Sequence, residues 1–257
     1  MMNVTSEAVQ AMEDAAKQTV GWDEVTNRKW NSKDKDQRIW SLFGAPSDVI
    51  ANLWERVEPY IDWAGADPKH LLWALVFLKV YASEEVHCAI VGWPNPKSYL
   101  EWSWYFVEKI YDLQDDVIVW GNQFDRQPDM NDIKFDCMIS TDCTNCHCDE
   151  PYPASPDMYS EKFNGPGLKY EVGVCIKTGY IVWISGPFPA GNSEPTIFRE
   201  GLMQQLEDWE LVECYTGLKG NSKARLPAQA LMRDGRKEKS VVRGQHENVN
   251  GRLKHFY

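Results

Sequence analysis

The stretch Tyr170-Glu-Val-Gly-Val-Cys-Ile-Lys-Thr-Gly-Tyr-Ile-Val-Trp-Ile184 decides the fold class. Two runs rich in β-branched and aromatic residues flank Lys177-Thr-Gly179, which has the composition of a tight turn, so the stretch reads as a β-hairpin. Upstream, Phe135-Asp-Cys-Met-Ile-Ser-Thr141 reads as another strand, closed by Asp142. Downstream, a helix is expected from about Pro195 to Leu206, a strand from Leu211 to Cys214, and a helix from about Val241 to Lys254. Strand, hairpin, helix, strand, helix is the order of a mixed sheet flanked by helices, an α/β class.

The first half has a different period. Residues 1–45 are polar and mixed, and read as a partly disordered N-terminus. Residues 46–125 read as a helical region. Val49, Ile50, Leu53, Trp54 and Val57 recur at helical spacing after Pro46. Asp67-Pro68 has the form of an N-cap and first helical position, opening an apolar helix from Leu71 to Tyr81. Ser83 starts a short helix that stops at Gly92-Trp93-Pro94, and an aromatic helix runs from about Tyr99 to Tyr111. A short helix, a glycine turn and a longer helix have the outline of a helix-turn-helix. A plain helical bundle with Trp and Tyr in its core fits equally, and the longer helix carries few basic residues, Lys97 and Lys109 among them.

The chain has 257 residues, 43% of them hydrophobic and 25% charged, enough for a sizeable core. No apolar run approaches the roughly 18 residues of a membrane span, and Met1 to Lys17 is too polar for a secretory signal. Seven cysteines in that context point to free thiols in a reducing compartment, nuclear or cytoplasmic. The net charge of −11 argues against a generic nucleic-acid binder. Its distribution is uneven: Lys219 to Tyr257 holds ten Lys and Arg against three Asp and Glu, a net of +7, leaving −18 on the first 218 residues. That basic segment is either a solvated face or a phosphate-contacting surface.

Asp142 and Glu247 are the candidate chemical residues. Two-metal phosphoryl transfer needs carboxylates that hold two divalent ions about 3.5–4 Å apart, and oxygen ligands suit Mg²⁺ or Mn²⁺. Asp142 after a strand and Glu247 on the final helix suit that task. The intervening strand, in Glu210-Leu-Val-Glu-Cys-Tyr-Thr-Gly-Leu-Lys-Gly220, ends in Tyr215 where a second aspartate is wanted. A phenol is neutral near pH 7 and a poor bridging ligand. Glu213, two residues earlier and so on the same side of the strand about 6.6–7 Å back, is a candidate substitute.

The linear motifs carry a resemblance. Leu71-Leu-Trp-Ala-Leu-Val-Phe-Leu-Lys-Val-Tyr-Ala-Ser-Glu-Glu85 resembles the N-terminal helical segment of algal-type DDE endonucleases, Harbinger-like members of the fourth DDE transposase group. Lys162 to Ile176 and Thr178 to Pro189 resemble the central signature, and Arg243-x-x-His-Glu247-x-x-Asn250-x-Arg-Leu-Lys254 is similar to the final glutamate helix. The resemblance spans roughly residues 35–257. It implies a ribonuclease H-like DDE domain over 130–257 that uses Mg²⁺ or Mn²⁺ on DNA, with Asp142 and Glu247 as metal ligands. It leaves room for a separate DNA-binding partner protein. Departures are plain: Tyr215 stands for the second aspartate, Leu218 for a tyrosine, Cys143 for a glycine, and the domain is C-terminally short. The resemblance therefore implies a weakened or inactive endonuclease, or a non-enzymatic DNA- or protein-binding relic.

Cys143-Thr-Asn-Cys146-His147-Cys148 reads as free thiols in a loop after the Asp142 strand; zinc binding and haem attachment are the alternatives. His246 reads as a partner for phosphate or carboxylate rather than as a metal ligand. DNA binding, if it resides in the basic segment, depends on Arg243, Arg252 and Lys254. Neutralising all three should weaken duplex binding and lower the salt slope by up to about 2.7. Fluorescence anisotropy across a salt series checks this, and an unchanged affinity would leave the segment as a solvated face.

Overall fold

In the computed structural model, residues 4–21, 32–121, 137–162, 164–214, 218, 220–225, 244 and 246–253 are described. The chain divides into a helical unit up to Val117 and an α/β unit from Ile118. Among the described residues no helix is long and apolar enough to cross a membrane.

The helical unit contains α1 (Ser6–Thr19), α2 (Ser32–Phe43), α3 (Ser47–Val57), α4 (Pro68–Lys79), α5 (Glu84–Ile90), α6 (Pro96–Asp112) and the short α7 (Gln114–Val117). Helices α1 and α2 lie within the stretch 1–45 that reads as a partly disordered N-terminus. Their polar composition conceals one apolar stripe each: Met12 and Ala16 on α1, Ile39 and Phe43 on α2, all buried in the helical core. Four-residue spacing puts each pair on one face. Thr5 Oγ1 caps α1 by accepting from the Ala8 N–H at 3.2 Å.

Helix α4 is the axis of this unit. Seven consecutive residues, His70 to Val76, are buried, because α1, α2 and α6 all pack on it. Its start is the expected Asp67-Pro68 cap: Asp67 Oδ1 accepts from the Lys69 N–H at 3.0 Å, and His70 Nδ1 accepts from the Asp67 N–H at 3.1 Å. Burial, followed by the neighbouring Lys69 charge, pulls the His70 imidazole down to about 4. It is neutral at pH 7, as an accepting Nδ1 requires. The ring stacks on Trp102 at 4.0 Å, and Trp102 stacks on Trp63 at 4.3 Å. On α6, Tyr99, Ser103 and Phe106 are buried in the bundle, while Lys97 pairs with Glu101 and Lys109 with Asp62. Of the other α6 aromatics, Trp102 and Tyr105 are half-buried against this core and Trp104 and Tyr111 are exposed.

The second unit holds β1 (Ile139–His147), β2 (Tyr159–Ser160), β3 (Gly165–Cys175), β4 (Ile181–Pro189), α8 (Glu194–Glu200), β5 (Val212–Cys214) and β6 (Ala224–Arg225). A final helix covers residues 246–253. The sheet is mixed: β4 and β2 pair with β3, β3 pairs antiparallel with β1, and β1, β5 and β6 run parallel. The expected hairpin is present, with Gly179 in its turn at φ +72°.

Two boundaries move. β1 does not end before Asp142; it runs five residues past it, through Cys143 and Cys146. The cysteine cluster is therefore strand, not loop. Its burial follows from pairing with β3, which faces it residue for residue from Ile139 opposite Cys175 to His147 opposite Gly167. Helix α8 stops at Glu200, and a single turn over Leu202–Gln205 continues the expected helical stretch.

That break has a cause. Glu171 on β3 is 1% exposed, and its Oε2 accepts from the Trp183 indole N–H at 2.9 Å and from the Leu202 N–H at 3.2 Å. A side chain at Gly201 would meet that oxygen at 3.0 Å. Gly173, in turn, lets Trp183 lie across the strand: a Cβ there would come within 2.9 Å of the Trp183 Cβ. Phe198, Leu202, Ile139 and Val212 close the apolar layer around this carboxyl.

Burial pushes the Glu171 carboxyl above its ordinary value of 4.5, against the lowering effect of its two hydrogen bonds. The native state then holds this proton more tightly than the unfolded chain. The associated stability is full below pH 4.5 and is lost as pH rises through the native value. Glu171→Gln keeps an acceptor and removes the titration. Urea unfolding from pH 4 upward should show a flatter pH dependence for this variant. Glu171→Ala should cost about 1–3 kcal/mol by orphaning two buried N–H groups. Equal pH profiles for Glu171→Gln and the parent would refute the role.

Candidate metal centre

Side chains alternate along β1, so Ser140, Asp142 and Thr144 share one face and Ile139, Thr141 and Cys143 the other. Ser140 lies opposite Glu213 in the parallel β1–β5 pairing. Paired residues of neighbouring strands project to the same side, so Glu213 shares the Asp142 face. It is buried, at 9% exposure. The helix over 246–253 brings His246 and Asn250 to this face, one turn apart. The contact is direct: Asn250 Nδ2 donates to Asp142 Oδ2 at 3.4 Å, a long hydrogen bond. The other carboxylate oxygen, Oδ1, accepts from the Cys143 N–H at 2.9 Å.

His246 is buried beside them. Burial lowers its basicity; the Asp142 charge, then the Glu247 charge and the Ser140 carbonyl, work against that. Neither ring nitrogen has a hydrogen-bond partner among the described residues, and neither has Asn250 Oδ1 or Thr144 Oγ1. All three residues are more than nine-tenths buried: Thr144 at 3%, His246 at 4% and Asn250 at 6%. Orphaned buried polar atoms cost about 1–3 kcal/mol each, so four of them around one carboxylate mark a place where a polar species would be stabilised.

Asp142, His246 and Asn250 carry donor types that could hold a divalent cation there. Carboxylate, amide oxygen and imidazole are all competent ligands for Mn²⁺ or Zn²⁺. Among the described residues no three His, Cys, Asp or Glu side chains are grouped so that they could hold a metal ion. Glu247 is exposed on the helix, next to His246. Arg252 is exposed on the same helix. Tyr215, Arg243 and Lys254 lie outside the described residues.

A small pocket beside β1 is lined by Thr141, Asp142, Cys143, Glu171, Glu194, Phe198 and Leu218, most of them from the opposite face. Burial first, then the charges of Glu194, Glu171 and Asp142, pushes the Cys143 thiol far above its ordinary range. Burial and the Glu213 charge push Cys214 up to about 11. These thiols are protonated at neutral pH and poorly nucleophilic. Cys143 and Cys146 stand three apart in a strand and project to opposite faces, so they cannot close on one zinc ion. All seven cysteines are free.

The sequence reading of single residues missed Thr144 and the inward placement of His246 and Asn250. The His-x-x-x-Asn spacing on a helix was the available signal, since it puts both residues on one face. No protein-family model, no curated protein and no solved structure matches the chain.

The Asp142–Asn250 contact is open to a swap. Asn250→Asp replaces a donor by a second carboxylate and should destabilise the fold by about 1–3 kcal/mol at pH 7. Asp142→Asn combined with Asn250→Asp restores a donor and an acceptor, and should recover at least about 0.5 kcal/mol of that loss. Urea denaturation of the two single variants and the double variant measures this coupling. Strict additivity would mean that the helix does not dock through this pair.

Proposed function

We propose that the second unit is a ribonuclease H-like domain of DDE-transposase descent, built for divalent-metal cleavage of DNA phosphodiesters and weakened at its second ligand. One observation carries this reading: the helix bearing His246, Glu247 and Asn250 is laid on the strand bearing Asp142, with Glu213 on the neighbouring parallel strand of the same face. The sheet order β4-β3-β1-β5-β6, antiparallel on one side of β1 and parallel on the other, supports it. So does the run of motifs from Leu71 to Lys254.

In this reading Asp142 and Glu247 hold the cation. A bound divalent ion polarises the attacking water and offsets charge on the phosphate. Glu213 supplies a carboxylate on the strand whose usual aspartate position is Tyr215. Exposed Arg252, with Arg243 and Lys254, contacts backbone phosphates.

A second reading has its own support. Both oxygens of Asp142 are engaged by the protein, and Tyr215 brings no charge. A domain that keeps the scaffold and binds DNA or a protein without cutting would tolerate both features.

Mn²⁺ affinity separates the two better than cleavage, because Leu218 and Cys143 also depart from the family pattern. The purified protein should cleave DNA weakly or not at all with Mg²⁺ or Mn²⁺. Tyr215→Asp should tighten Mn²⁺ binding by about tenfold, measured by calorimetry. Equal affinity for both forms would reject position 215 as the lost ligand. Strong cleavage by the parent, abolished by Glu213→Gln, would show that Glu213 has taken over the role.

A further inference from the structure

The orphaned atoms beside Asp142 specify more than a generic carboxylate site. His246 and Asn250 project from one face of their helix onto one strand, and Thr144 stands two residues along from Asp142 on that strand. His246 offers two unpaired ring nitrogens, Asn250 an unpaired amide oxygen and Thr144 an unpaired hydroxyl, all in the protein interior. The Asn250 amide already points its NH₂ at Asp142 Oδ2. Turning the amide over would present oxygen at the same place, beside a carboxylate oxygen and an imidazole. Nitrogen and two oxygens of this kind rank divalent ions differently from an all-carboxylate site: imidazole favours Zn²⁺ and Mn²⁺ over Mg²⁺.

We propose that Asp142, His246 and Asn250 together bind one borderline divalent cation, with the His246 imidazole as a ligand in a place where an all-oxygen set is the ordinary expectation. The proposal rests on the metal-nuclease reading only for the choice of a cation as the guest. Its ligands are a different set, so it fails or survives separately. It also gives the orphaned nitrogens of a buried histidine a partner, and it assigns Asn250 two states: a tether for Asp142 without the ion, and an oxygen ligand with it.

The test uses the full chain and Mn²⁺ itself. Pulsed electron paramagnetic resonance of the Mn²⁺-loaded protein should show coupling to an imidazole nitrogen. His246→Gln should abolish that coupling and weaken Mn²⁺ binding by at least about tenfold. His147→Gln, on the exposed end of β1, should leave both unchanged and so removes surface histidine binding as an explanation. Mg²⁺ should displace Mn²⁺ only at an excess of about tenfold or more. If His246→Gln does not fold, Asn250→Ala reads the same site: lowered Mn²⁺ affinity with the nitrogen coupling kept supports the proposal, and unchanged affinity overturns it. Bound Mn²⁺ without nitrogen coupling, or coupling that survives His246→Gln, also overturns it. If affinity then falls with Glu247→Gln instead, the metal-nuclease reading stands alone. No Mn²⁺ binding by either the parent or Tyr215→Asp would sink both.

Discussion

The alternation of side chains along β1 is the constraint on which the second unit depends. In this nine-residue strand, paired with β3 throughout and with β5 over Ile139–Thr141, the residues from Ile139 to Thr144 are buried or half-buried and serve two layers in alternation. Ile139, Thr141 and Cys143 go to the layer closed by α8, Phe198 and Leu202, while Ser140, Asp142 and Thr144 go to the layer under the C-terminal helix. A one-residue slip against β3 would put Asp142 into the apolar layer, where a carboxylate costs several kcal/mol to bury unpaired. The long β1–β3 ladder holds the register against that exchange.

Each layer handles its polar groups in its own way. The α8 layer holds the fully buried acid Glu171 and satisfies it with two N–H donors while accepting a shifted acidity. Two glycines make that arrangement possible: Gly201 leaves room for the carboxyl, and Gly173 leaves room for Trp183, which supplies one of the donors. The other layer leaves four buried polar atoms of Thr144, His246 and Asn250 without a hydrogen-bond partner among the described residues. A layer that satisfies its buried acid beside a layer that keeps such atoms is the pattern of a scaffold on one side and a site on the other.

Much of this organisation was legible in the sequence. The hairpin turn around Gly179, the Asp67-Pro68 helix start and the strand at Val212 to Cys214 are local chemistry and lie where expected, although both hairpin strands run five residues further at their outer ends. Helices α1 and α2 were not legible because each buries only two apolar side chains fully, Met12 and Ala16 or Ile39 and Phe43, a weak signal against a charged background. The extension of β1 through the cysteines was hidden for a different reason. Thr144, Asn145, Cys146 and His147 carry no apolar alternation of their own; they are ordered by β3, which is a non-local partner. The candidate site was half legible. Asp142 and the final helix stood out as motifs, but that His246 and Asn250 face inward while Glu247 faces out depends on the rotation of the helix on the sheet.

That rotation sets which groups meet at the contact between the helix and β1. His246 and Asn250 are buried there against Asp142, and Glu213, on the neighbouring strand of the same face, is a second buried acid. Two carboxylates on one face raise the electrostatic cost of the layer unless a cation or a donor offsets it. On the reading proposed above, an uncharged residue at position 215 would spare the layer a third charge and lower its demand for metal, leaving the imidazole and amide of the helix to select the ion.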